Sequence, residues 1–155
     1  MKTGISSLKI SLLQKNDPIS VGKLATKDGS LYFEYDNTFI ATGFEISPFY
    51  LPLKPGLFKG RNYLFEGLFG VFNDSLPDGW GKLLLDRKLR KNGIEPQSIS
   101  PLDRLAYAGS NTMGALVYEP DLFSGEIESP IDLDLIHQEI DLVQRGDADR
   151  VIEHL

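Results

Sequence analysis

The chain has no cysteine, so neither a disulfide nor a thiolate metal site can be part of its fold. No apolar run approaches the ~20 residues needed to cross a bilayer as a helix. The start, MKTGISSLKISLLQKND, lacks the apolar core and small-residue cleavage site of a secretory signal, and the chain is expected to be cytoplasmic. Excess positive charge is missing too. A net charge of -6 argues against a direct nucleic-acid role, because phosphate contacts need clustered Lys and Arg. Histidine is scarce: His137 and His154 stand far apart among Gln, Glu and Asp, and read as solvent-facing helix positions rather than ligands. There are no internal repeats and no low-complexity tracts.

What is present is globular composition. Over 155 residues, apolar types make up 41% and charged types 25%. A chain of this length buries roughly 70% of its unfolded surface. Fifteen glycines and nine prolines point to many turns, hence to a substantial β component. Leu8, Ile10 and Leu12 alternate with polar neighbours, the period of a half-buried strand. Further strands are expected over 21–26 and 31–35, joined through Asp28-Gly29, a pair that tolerates the positive φ of a tight hairpin. The proline-rich run from Ile46 to Leu53 suits an edge strand or an extended surface segment. Residues 63–71 suit a short helix packed on the sheet.

Helical signals dominate the second half. Asp78 is placed to cap a helix from Gly79 or Trp80 to about Lys91, which stops at Asn92-Gly93. Trp80, Leu83 and Leu84 form its apolar stripe, widened by Leu85 and Leu89. Ser100-Pro101-Leu102-Asp103 opens a second short helix that ends at Gly109. Residues 114–118 read as the last strand, bounded by Pro120. Two regions are expected, 1–122 as a folded domain and 123–155 as a helical linker in which Leu133, Ile136, Ile140 and Val143 follow helical spacing.

Candidate chemistry is sparse. Asp74, Asp78 and Asp86 lie close in sequence but do not follow calcium-loop spacing. Gly109-Ser110-Asn111-Thr112-Met113-Gly114 runs from helix into strand, the reverse of a phosphate-binding loop, and reads as a turn. Lys82, Arg87, Lys88, Arg90 and Lys91 lie on or near the polar face of one helix. They suit its dipole or an acidic partner. Trp80 has two readings, an anchor buried against the sheet or a recognition residue at the surface. No nucleophile, base and oxyanion site come together.

The segments VGKLATKDGSLYFEYD, ISPFYLPLKPG, FGVFNDSLPDGWGKLLLDRKL and PLDRLAYAGSNTMGALVYEP, in that order, resemble the N-terminal region of HipA-family serine/threonine kinases. These are the toxin components of HipBA-type toxin–antitoxin systems. The resemblance covers roughly residues 18 to 120, and the tail from Pro130 resembles the helical linker ahead of the kinase core. It implies a small α+β subdomain, a curved or barrel-like antiparallel sheet with several helices. It also implies packing on a two-lobed kinase core and contacts with an antitoxin of HipB type, a helix-turn-helix DNA-binding protein. That core transfers the γ-phosphate of ATP to a serine or threonine, in the best-known branch on an aminoacyl-tRNA synthetase.

The family's nucleotide-anchoring and catalytic groups belong beyond position 155, so no catalytic, cofactor or metal residue is carried onto this chain. ATP and magnesium are expected only with the kinase core. The partner-binding residues expected here are Leu76, Pro77, Asp78, Trp80 and Arg87. Two arrangements follow: a module that works with its own kinase core, or a stand-alone antitoxin-like inhibitor of a separate kinase, with Trp80 as the wedge. A self-contained hydrolase using Asp74 and Asp78 is the least favoured reading.

Overall fold

A computed structural model describes residues 4–123 apart from 16 and 62. Among the described residues there are five strands and four α-helices: β1 (Ser7–Leu12), β2 (Ile19–Lys27), β3 (Ser30–Tyr35), α1 (Asn37–Ile40), β4 (Leu57–Lys59), α2 (Gly70–Asn73), α3 (Gly79–Lys91), α4 (Pro101–Ala108) and β5 (Leu116–Glu119). The strands form one open antiparallel sheet in the order β4-β3-β2-β1-β5, and the fold class is α+β. The expected linker and both histidines lie outside the described residues.

The sheet is built from the alternation legible in its strands. Asp28 and Gly29 both take positive φ, 50° and 72°, which closes the β2–β3 hairpin with the twist its strands need. Leu8 and Ile10 face Leu24 and Gly22 across β1–β2, and Leu24 faces Phe33 across β2–β3. Phe33 faces Phe58, and Ile10 faces Tyr118. One face of the sheet therefore carries the core. The other presents Lys9, Lys23, Glu34, Lys59 and Glu119, all exposed. A half-buried antiparallel sheet has this pattern.

The core is rich in rings. Phe33 meets Tyr35 edge-on at 4.7 Å and Phe72 at 5.0 Å, and Tyr35 stacks on Phe39 at 5.9 Å. Phe72 reaches Tyr118 at 6.4 Å. This chain of aromatics fixes α1 and α2 onto the sheet, and such pairs contribute about 0.5–1.5 kcal/mol each beyond the area they bury. Leu102, Leu105 and Ala106 bring the inner face of α4 into the same core.

Two expectations change here. The proline-rich run is a loop held by a bridge between Ser47 and Leu51, and the edge strand is instead Leu57–Lys59. Pro48, Pro52 and Pro55 interrupt the amides that a ladder needs, whereas 57–59 contains no proline and pairs with β3. Residues 63–71 form a one-turn 3-10 helix at Phe65–Gly67, in which Phe65 and Glu66 take positive φ, and the start of α2, the two separated by the extended Leu68 and Phe69.

Candidate interaction surface

Buried hydroxyls position the corner that leads into α3. Ser75 is almost completely buried; its hydroxyl donates to the Val71 carbonyl at 3.2 Å and accepts from the Tyr118 hydroxyl at 2.8 Å. Its own carbonyl accepts from the Met113 amide at 2.9 Å. The turn is thus tied to β5 and to the 109–114 loop, which is a turn here as the sequence suggests. Leu76 and Pro77 follow half-buried, and the Pro77 ring lies so close to residue 81 that a Cβ there would sit 2.9 Å from it. Only glycine allows that approach, so Gly81 sets the angle at which α3 leaves the corner.

Asp78 occupies the N-cap position of α3, but its carboxylate makes no capping bond. The Lys82 amide bonds to the Asp78 carbonyl instead, which starts the helix. At the far end the Ile94 amide returns to the Leu89 carbonyl and the Asn92 side chain donates to the Lys88 carbonyl, closing the helix where expected.

The expected single stripe of α3 is two stripes. At about 100° per residue, Leu85 and Leu89 lie on the side of the helix away from Trp80. Leu89 is buried and Leu85 half-buried, so that side faces the domain. Trp80, Leu83 and Leu84 lie on the outward side and are 45%, 38% and 43% exposed. Arg87, seven residues after Trp80, continues this outer stripe and is half-buried. Trp80 is therefore not buried against the sheet as an anchor. Leu76 and Pro77 lie half-buried in the corner, Asp78 and Trp80 are exposed at the start of α3, and Arg87 is two turns further along on the side of Trp80. Leu83 and Leu84 lie on that side too, and the sequence signal for this was the stripe itself.

Lys88, Arg90 and Lys91 flank the outer stripe, while Lys82 lies on the opposite side of the helix. Lys82 pairs with Asp86, and the Lys88 ammonium sits 4.1 Å from the centre of the Phe123 ring. Arg90 and Lys91 are exposed near the helix C-terminus, where the dipole favours them. Asp74 ends α2, so the three aspartates have separate structural settings. Among the described residues no group of three or more His, Asp or Glu side chains is placed to hold a metal ion. No helix among them is long and apolar enough to cross a membrane.

An open cleft elsewhere is lined by Ile5, Thr26, Ile94, Glu95, Asp103 and Tyr107. Its only buried carboxylate, Asp103, accepts the Ile5 amide at 2.8 Å and the Ser100 hydroxyl at 2.7 Å. Burial and the Asp103 charge raise the Tyr107 pKa. Among the described residues, the outer side of α3 is an apolar ridge with exposed cations near its C-terminal end.

A family model described as HipA N-terminal domain matches residues 15–119, a span that contains β2 through β5 and the whole of α3. Comparisons with curated proteins and with solved structures gave no match.

Proposed function

The chain belongs to the HipA N-terminal domain family, and on that premise we propose that it is a non-catalytic docking module for a HipA-like serine/threonine kinase core. The observation that carries this reading is the outer stripe of α3. A helix that already buries Leu89 has no folding need for Trp80, Leu83 and Leu84 on its other side, and a ridge of that kind is what an interface core requires. Trp80 is the anchor, Leu83 and Leu84 complete the apolar patch, and Leu76 and Pro77 shape its base. Asp78 and Arg87 supply charged contacts at its margin. ATP and magnesium would be handled by the kinase core, and an antitoxin of HipB type would be met by the assembled pair.

The placement of Trp80 also favours a second reading. A tryptophan projecting from a rigid corner is suited to entering a groove on a separately encoded kinase and blocking it.

The single tryptophan is its own reporter. Adding a HipA-like kinase core should shift Trp80 emission to the blue and shield it from acrylamide. Trp80→Ala should weaken the complex by about 2 kcal/mol or more, roughly thirtyfold. A complex that forms with Trp80 emission unchanged would reject the site, and no complex at micromolar concentrations would reject the function. Kinase activity measured in the same mixture separates the two readings, because only a blocking wedge reduces it in proportion to occupancy.

A further inference from the structure

The opposite edge of the sheet carries a second unassigned feature. The Gly60 amide donates to the Leu31 carbonyl at 2.8 Å, so by the alternation of strands Phe58 also turns its main chain toward β3. The amides and carbonyls of Leu57 and Lys59 therefore point outward. The other edge is treated differently, since the Tyr118 amide of β5 is bonded to the Gly109 carbonyl at 3.1 Å.

Exposed rings and cations flank the β4 edge. Leu57 is 65% exposed, Phe49 90%, Tyr50 65% and Tyr63 77%. Arg61 lies 5.4 Å from the Tyr50 ring, which joins the proline-rich loop to this edge, and Lys59 lies 5.9 Å from the Tyr32 ring. Lys54, Lys59 and Arg61 are exposed, and among the described residues no carboxylate pairs with any of them.

We propose that the β4 edge is a second docking surface, which takes an extended acidic segment of a partner protein as an added strand. A peptide supplies both the amide donors and the carbonyl acceptors that the outward groups of Leu57 and Lys59 need. A phosphodiester supplies no donor, so nucleic acid satisfies only part of the edge. The cations give the partner its sign. They also oppose a second copy of this chain, because two such edges would bring like charges together. The surface lies across the sheet from α3, whose end meets Phe123 just after β5. One module can then hold two partners.

The test is an amide chemical-shift titration of the full chain with a capped peptide of alternating Glu and Val. Shifts are expected at Leu57, Lys59 and Arg61, with binding weakened about tenfold when the central residues of the peptide are N-methylated. K59E/R61E should lose binding, while Trp80→Ala should leave it intact. Equal binding of the N-methylated peptide, unchanged binding by K59E/R61E, or no shifts at 57–61 would each overturn the proposal. So would oligothymidylate that shifts the same amides while the peptide does not.

Discussion

Asp103 joins parts of the chain that are 98 residues apart, through its bond to the Ile5 amide, while the same carboxylate completes the capping box of α4 with Ser100. The capping role was legible from Ser-Pro-Leu-Asp, because a helix start is written in adjacent residues. The link to Ile5 was not, since nothing local marks a distant amide as a partner. Ser100→Ala should therefore cost about 1 kcal/mol in urea unfolding. Asp103→Ala should cost more, because it also leaves the Ile5 amide without its acceptor.

Tyrosines set a second expectation at this scale. Burial, assisted by the nearby charge of Glu45, pushes Tyr35 up to about 12, and burial raises Tyr118 as well. Their unfolded counterparts ionise near pH ~10. The folded state then holds protons that the unfolded state releases, so stability is intact below pH ~10 and falls as pH rises through 12. Thermal melts across that range should show a shallower decline for Tyr35→Phe than for the parent.

Elements were legible in proportion to how local their causes are. The β2–β3 hairpin follows from Asp28-Gly29, and the limits of α3 follow from Asp78 and Asn92-Gly93. The direction in which α3 faces does not follow from periodicity. Five apolar residues within ten positions look like one broad stripe until the rest of the fold shows which of them are covered. The short β4 was missed for a related reason: three residues cannot display a period. Substitution separates the two sides of α3. Leu89→Ala should lower stability by about 2–5 kcal/mol. Leu84→Ser should change it by less than about 0.5 kcal/mol while weakening the complex with a kinase core. Chemical denaturation beside a binding titration measures both. A large stability loss for Leu84→Ser would mean that the outer stripe is structural.

At a larger scale, the described residues give the sheet one face covered by rings and helices and another that carries Lys9, Lys23, Glu34, Lys59 and Glu119. The proposed binding residues lie on α3 and on the edge strand β4, whose Leu57 and Lys59 side chains stand on the solvent face. The expected small antiparallel sheet with several helices is present, and the sheet is open, with β4 and β5 at its edges. Because both surfaces have basic margins, complexes at either should weaken as salt rises from 50 to 500 mM, and the β4 edge should be the more sensitive, because its proposed partner is acidic. A salt series with each partner alone compares them.

Ser75 carries a consequence for binding speed. Held from three sides by Val71, Tyr118 and Met113, it keeps the tryptophan corner in one shape before any encounter. A partner then meets a finished tooth instead of a swinging arm, and little ordering entropy is lost on contact. Loosening this hidden peg, as Ser75→Ala would, should slow capture of the kinase even though every residue on the contact face is unaltered.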